Sequence, residues 1–440
     1  MGSGFACLPA TGRYRLARAT VPVSLVDGAP LVADADGLAA ADLTIADGRI
    51  AAITAPGSAD GTPVVDLDRG LVLPCFVDAH THLDKGHIWP RAANPDGTFP
   101  GALAAVAADR QANWSAADVA ARMDFSLRCA FAHGTAAIRT HIDSLPDQAA
   151  ISWPVFAQMR EAWHGRIALQ GSSLCGIDIA AEEGYLPAMV GLLKRHGGGL
   201  GCVTYMTPSL PGGLESIFRT ALAAGLPLDF HVDETLDPGA HSLRLIAEAA
   251  IRHRWREAGN GRIVVGHCCS LSTQDGAEVD RTLDLVAEAG IAVVSLPMCN
   301  MYLQDRTAGR TPRRRGVTLL HEMKARGIAV MVASDNTRDP FYAYGDMDVL
   351  EVYREATRIL HFDHPVSDWP RTVTATPAAV CGFDAQGVIR PGAPADLVLF
   401  RGRTWTELLS RPQADRTVLR SGRAIDTTLP DHRELDALWS

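Results

Sequence analysis

Phe76-Val77-Asp78-Ala79-His80-Thr81-His82 is the stretch on which the reading of this chain turns. A short apolar run leads into two histidines, as in a buried strand that ends in imidazoles. Side chains two apart on an extended strand point the same way, so His80 and His82 can reach one cation. The run opens at position 71, and seven more follow at 136–140, 167–170, 201–204, 228–231, 263–266, 292–295 and 329–333. Continuous apolar runs of this length suit strands buried on both faces of a parallel sheet. Between them lie helical patterns such as 215–224 and 280–289, with Gly225 and Gly290 placed as helix stops. Eight strand-helix units in about 265 residues is the arithmetic of a (β/α)8 barrel of TIM type. Ionisable residues gather at the ends of the runs, and the strand interiors are expected to be apolar.

The flanks read differently. Residues 19–70 alternate in short pieces such as Asp42-Leu43-Thr44-Ile45, broken by Asp-Gly pairs at 27–28, 36–37, 47–48 and 60–61. Asp-Gly is the strongest short hairpin signal. The far end repeats the style in Ala395-Asp396-Leu397-Val398-Leu399-Phe400 and Thr417-Val418-Leu419-Arg420-Ser421-Gly422. Neither flank has enough strands for a sheet that is stable alone. The expected organisation is therefore α/β. Residues 1–70 and 386–440 together form a small composite β-sandwich domain, and 71–385 form the barrel.

Composition narrows the function classes. The 440 residues are 47% hydrophobic and 21% charged, with a formal charge of −9, so a polyanionic partner such as nucleic acid is repelled on average. No run approaches the ~20 apolar residues needed to span a bilayer, and 1–18 lacks the pattern of a signal peptide. Nine cysteines, with no CxxC pair, read as buried thiols of a reducing compartment. The expectation is a soluble, cytoplasmic, globular protein without nucleic-acid or membrane partners. Arg313-Arg314-Arg315 reads as a solvated or salt-bridged loop, and Cys268-Cys269 as packing.

Working residues of such a barrel sit at the C-terminal strand ends. The first strand ends in His80 and His82, the fifth in His231-Val232-Asp233-Glu234, the sixth in His267 and the eighth in Ser334-Asp335. Taken singly these are bland, since an Asp after a strand is more often a helix cap and His-x-His is more often a loop pair. Together at strand ends they point to a metal. Nitrogen and oxygen donors without sulfur suit zinc or ferrous iron, which lowers the pKa of a bound water towards ~7.

Pro74-Cys75-Phe76-Val77-Asp78-Ala79-His80-Thr81-His82-Leu83-Asp84-Lys85 resembles the first metal motif of the amidohydrolase superfamily, in its cytosine deaminase-like branch. Arg139-Thr140-His141-Ile142-Asp143, His231-Val232-Asp233-Glu234, Leu303-Gln304 with Arg314-Arg315-Gly316, Ser334-Asp335-Asn336 with Asp339-Pro340-Phe341-Tyr342, and Pro391-Gly392-Ala393-Pro394-Ala395-Asp396-Leu397 continue the likeness in order over about residues 20–426. The resemblance implies one divalent metal ion per chain, zinc or iron, held by His80, His82, His231 and Asp335. It implies that Glu234 shuttles a proton to a ring nitrogen. Asp335 also accepts the proton of the water, and His267 orients that water and stabilises the tetrahedral adduct. The implied activity is hydrolytic deamination of a free cytosine-like base, and barrels of this superfamily are often homo-oligomers.

Two departures bear on the substrate. The glutamine with which cytosine deaminase reads the pyrimidine edge falls on Leu174, with Gln170 as an offset candidate. Asn336 stands where the family often has a second Asp, and Phe341 stands where it has a Trp over the substrate. These changes suit a 5-substituted cytosine or an aminated triazine as readily as cytosine. Two rivals are a cyclic-amide hydrolase and a silent ring- or partner-binding barrel. The first usually needs a lysine on the fourth strand, which here reads Gly201-Cys202-Val203-Thr204-Tyr205-Met206. The second has no use for Glu234 and His267. Asn94-Pro95-Asp96-Gly97-Thr98-Phe99 is expected as a turn or as part of a lid over the ring.

Overall fold

A computed structural model describes residues 5–9, 12–57 and 61–439. Eight parallel strands are each buried along most of their length: β1 (Phe76–Thr81), β2 (Thr135–Asp143), β3 (Ala168–Leu174), β4 (Leu200–Thr204), β5 (Leu228–Val232), β6 (Val264–His267), β7 (Ala292–Ser295) and β8 (Val330–Val332). Strands β1 to β3 pair in sequence, as do β4 to β8. Parallel bridges Thr81–Asp335 and Ser172–Gly199 join the two sets into a closed barrel. Closure leaves no sheet edge, and helices on the outer face cover the apolar runs. Helices Leu210–Ala224 and Gly276–Ala289 stop where expected, with Gly225 and Gly290 left-handed at φ 68°.

The strand interiors are not apolar throughout. Arg139 and His141 on β2, Gln170 on β3 and Asp229 on β5 lie inside the barrel strands. Arg139 and Asp229 meet across the interior at 3.2 Å. A closed barrel can hold such residues because inward positions of different strands share layers and satisfy one another.

The run 71–77 also divides. Val72–Pro74 pairs antiparallel with Leu397–Leu399 in the sheet of the C-terminal flank, and the barrel strand begins at Phe76. The Cys75 N–H between them donates to the Asp396 carbonyl at 2.9 Å. A barrel assigned from residue 71 therefore starts too early.

The flanks form two four-stranded sheets, one of Arg13–Pro22, Leu38–Ala46, Arg49–Thr54 and Val64–Asp66, the other of Val72–Pro74, Leu397–Leu399, Thr417–Arg420 and Arg423–Ala424. They share one apolar core containing Leu16, Leu43, Ile45, Val72, Leu397 and Leu419. Of the three Asp-Gly pairs within the described residues only Asp47-Gly48 forms a two-residue hairpin, with φ of 50° and 78°. The pairs at 27–28 and 36–37 lie in the long loop between the paired strands Arg13–Pro22 and Leu38–Ala46, where the Asp34 carboxylate takes the N–H groups of Asp36 and Leu38. Asp60 lies outside the described residues. Ser421-Gly422 forms a second tight hairpin.

Arg416 ties a flank to the barrel helices, donating to both Asp348 oxygens at 2.8 and 2.6 Å. No helix among the described residues is long and apolar enough to cross a membrane. All nine cysteines are free; eight are buried and Cys7 is exposed.

Candidate active site

At the C-terminal mouth of the barrel several strands turn sharply. Asp233, His267, Cys268 and Asp335 adopt positive φ of 47°, 70°, 52° and 63°. Left-handed non-glycine residues cost of order ~1–3 kcal/mol each and cluster where a side chain must be aimed. Beside these turns four side chains, one of them that of Asp335, meet at one point. His80 Nε2 lies 3.1 Å from His231 Nε2, which lies 3.2 Å from His82 Nε2. Asp335 Oδ1 lies 3.5 Å from His80 Nε2 and 3.1 Å from His82 Nε2. Gly266 makes room for the His80 ring, because a Cβ there would stand 2.9 Å from its Cε1.

These residues fit a metal. Donors about 2.0–2.1 Å from a tetrahedral ion lie about 3.3 Å apart, close to the spacing seen. Burial holds His82 and His231 well below the usual imidazole range, so their rings are neutral. Burial disfavours the Asp335 anion, but His80 and His82 outweigh it and keep the carboxyl well below its ordinary value. Neutral imidazole and ionised carboxylate are the states that bind a metal. Neither oxygen of Asp335 has a hydrogen-bond donor, although the residue is buried. Such orphaned atoms call for a cation.

His141, quoted above within a motif and given no role there, joins this cluster. Its ring centroid is 4.0 Å from that of His80, and its Nε2 is 3.2 Å from Asp229 Oδ1. Its place two residues before the end of β2 was the available signal.

Glu234 and His267 stand beside this cluster. Asn300 Nδ2 donates to Glu234 Oε1 at 3.2 Å and to His267 Nδ1 at 2.9 Å. A His267 Nδ1 that accepts leaves the proton on Nε2, which is buried without a protein partner. Burial pushes His267 down to about 3, so the ring is neutral. Burial, and then the Asp335 charge, push the Glu234 carboxyl well above its ordinary value. Asp233 does other work: its oxygens accept from the N–H groups of Ser242 and Leu243 and fix the next helix.

A cavity of about 860 Å³ opens from His82, His231 and Asp335 to the surface. Leu174, Asn336 and Phe341 line it, with Phe99, Leu103, Val106 and Arg110. Gln170 does not reach it. Its Oε1 accepts from Arg139 Nη2 at 3.0 Å and its Nε2 donates to the Cys381 carbonyl at 2.7 Å, at the opposite end of the barrel. Residues 94–98 form a turn that starts the helix Phe99–Asn113: Thr98 caps its first turn, and Asn94 Nδ2 holds the Pro340 carbonyl at 3.0 Å. The helix itself walls the cavity. Its stripe of Phe99, Leu103, Val106 and Arg110, spaced by four, three and four, was legible as one helical face.

Residues 184–426 match the sequence profile of the amidohydrolase family. A pterin deaminase of Rhizobium rhizogenes is 52% identical over 441 residues, covering 100% of this chain and 99% of that one. The chain belongs to the amidohydrolase family. Two solved structures agree with the amidohydrolase fold. A 5-methylcytosine deaminase of Klebsiella pneumoniae liganded with 5-fluorocytosine has a TM-score of 0.78 at 24% identity, over 93% of this chain and 97% of that one. An atrazine chlorohydrolase of Arthrobacter aurescens, complexed with zinc, has a TM-score of 0.66 at 17% identity, over 97% of this chain and 98% of that one. The expected superfamily, the barrel fold and the class of metal-dependent hydrolytic deaminase thus hold for this amidohydrolase.

Proposed function

We propose that this amidohydrolase is a metal-dependent pterin deaminase. It replaces the amino group of a 2-amino-4-oxopteridine by oxygen and releases ammonia. The observation that carries the reading is full-length 52% identity with a protein named for that activity. Cytosine and a pterin share one edge, an amino-bearing carbon followed by a ring nitrogen and a carbonyl. The pteridine adds a fused ring, for which the apolar wall of Phe99, Leu103, Leu174 and Phe341 supplies a slot within a cavity of a size usual for drug-sized ligands.

His80, His82, His231 and Asp335 would hold one zinc or iron ion. Bound there, the metal supplies Lewis acidity that makes water nucleophilic near neutral pH. Glu234, three residues beyond a ligand, delivers a proton to the ring nitrogen beside the attacked carbon. Its raised affinity for a proton suits an acid that must be charged with one before attack. The neutral His267, with its free Nε2–H, donates to the attacking oxygen and orients it. Asp335, buried and anionic, accepts the proton that the water loses. Leu174 and Phe341 hold the ring plane, and Asn336, tied to Asp339 at 2.6 Å, closes the side beside Cys299. A homo-oligomeric assembly and a cytoplasmic location belong to the same proposal.

The test is ammonia release, with the accompanying ultraviolet change, from pterin, cytosine, 5-methylcytosine and an aminated triazine by metal-loaded protein. Turnover of pterin well above the others is expected. Turnover of a triazine or cytosine with pterin untouched would overturn the reading.

A further inference from the structure

One buried cation in the cavity wall has no part in the chemistry above. Lys85 lies three residues past His82, its side chain 7% exposed, and its Nζ sits 2.8 Å from Asp143 Oδ1. Asp143 is its one ion-pair partner among the described residues, and that carboxylate is already shared with Arg110 at 3.0 Å. An ammonium has three N–H donors, and burying idle ones is costly. Both Lys85 and Asp143 line the cavity, and Nζ is 5.6 Å from the centre of the Phe341 ring.

The neighbouring donors are committed elsewhere. Asn336 Nδ2 donates to Asp339, Gln304 Nε2 to the Glu234 carbonyl, and Asn300 Nδ2 to Glu234 and His267. Leu174, which stands where the resemblance places a ring-reading glutamine, offers no donor. Of the two cavity cations, Lys85 is the one on the loop that leaves His82, and its Nζ stands against the Phe341 ring within the same cavity as Glu234.

We propose that Lys85 is a specificity-determining residue, donating a hydrogen bond to the ring carbonyl that flanks the nitrogen next to the amino-bearing carbon. This rests on the pterin reading and names what selects the amino-oxo edge. As the water oxygen bonds to the attacked carbon, the displaced ring electron pair is delocalised onto that nitrogen and the conjugated carbonyl oxygen. Glu234 protonates the ring nitrogen, Asp335 passes the proton it took from the water to the amino group, the bond from the attacked carbon to that amino nitrogen breaks and ammonia leaves. Lys85 keeps its protons throughout and stabilises the charge that develops on the carbonyl, the role of an oxyanion donor.

The experiment compares pterin with 2-aminopteridine, which lacks only the carbonyl, using wild type and Lys85→Met, with metal content and melting temperature recorded for each. Wild type is expected to favour pterin by at least about 100-fold in kcat/KM, in line with loss of one such donor. Lys85→Met is expected to lose about that factor on pterin, mostly in kcat, and less than about fivefold on 2-aminopteridine. Equal loss on both rings, or a wild type indifferent to the carbonyl, overturns the proposal, and the second outcome needs no variant to fold. Should Lys85→Met misfold, Lys85→Met with Asp143→Asn keeps the local charge balanced and is held to the same ratio. A wild type silent on both rings would instead strike down the pterin reading and this assignment with it.

Discussion

The two ends of one barrel treat buried polar groups in opposite ways. At the closed end Arg139 donates to Asp229 at 3.2 Å and to Gln170 at 3.0 Å, and Gln170 in turn donates to the Cys381 carbonyl at 2.7 Å. At the mouth both Asp335 oxygens, the Nδ1 atoms of His80, His82 and His231, and the Nε2 of His267 lack a protein hydrogen-bond partner. Buried polar groups are normally paired, so the closed end is a structural device. The mouth is built for something the chain does not itself supply. His141 and Asp229 lie between the two, since Asp229 faces Arg139 with one oxygen and His141 with the other.

That contrast breaks most directly at Glu234. Glu234→Gln keeps size and the Asn300 contact but cannot carry a proton. Turnover should fall by about 10³-fold, within the range for general acid–base residues, while metal content and melting temperature stay at wild-type values. Loss of metal together with activity would make Glu234 part of the metal centre and blur the division at the mouth. Asp229→Ala, measured on chelator-treated protein by urea unfolding, tests the other end. It leaves the buried Arg139 guanidinium without its anion, and a loss of about 3–5 kcal/mol is expected. Intact stability with weakened metal binding would show that Asp229 serves the mouth through His141, and that the ends are one unit.

The seam between flank and barrel gives a smaller, pH-dependent effect. Burial raises the Asp348 carboxyl, but the Arg416 and His133 charges outweigh it and hold it down at about 2. A carboxyl whose folded value is depressed contributes stability above its unfolded value near ~3.9, and loses it as pH falls through the folded value. Asp348 should therefore add about 2 kcal/mol at neutral pH that fades between about pH 4 and pH 2. Asp348→Asn should flatten the acid limb of the stability curve over that window. An unchanged limb would place the flank's hold on the barrel elsewhere.

What the sequence reveals follows the same division. The eight strands were legible because each is buried on both faces, which forces a continuous apolar run whatever the helices do. His80, His82, His231, Glu234, His267 and Asp335 were legible as a set because a strand end is a local feature. The pairing of Arg139 with Asp229 was not, since the partners lie 90 residues apart and meet only through the curvature of the sheet. For the same reason 71–77 reads as one strand: nothing in Val72-Leu73-Pro74-Cys75-Phe76 shows that its first half hydrogen-bonds to Leu397–Leu399. Leu174 and Gln170 are four residues apart on β3, so the offset that left the choice open in one dimension places them towards opposite ends of the barrel in three.

Gln170 offers the mildest test, because its two readings make opposite demands. As a ring-reading residue its loss would cost orders of magnitude in kcat/KM and little stability, since it would face solvent or substrate. In the structure it is half-buried at the end away from the mouth: its amide bridges Arg139 and the Cys381 carbonyl, tying β2 through β3 to the helix Ala375–Cys381. Gln170→Leu keeps the bulk and removes both bonds, leaving one carbonyl and part of one guanidinium unmet. Stability should fall by about 1–3 kcal/mol, less than for Asp229→Ala because the ion pair survives. kcat/KM on the deaminated ring should stay within about threefold of wild type, since the cavity and the His/Asp cluster at its base are untouched. Leu174→Gln supplies the reciprocal change at the mouth: it should leave melting almost unmoved and alter the preference among rings. If Gln170→Leu instead changed ring preference at constant stability, the closed end would be serving recognition, and the distinction between the two ends would fall.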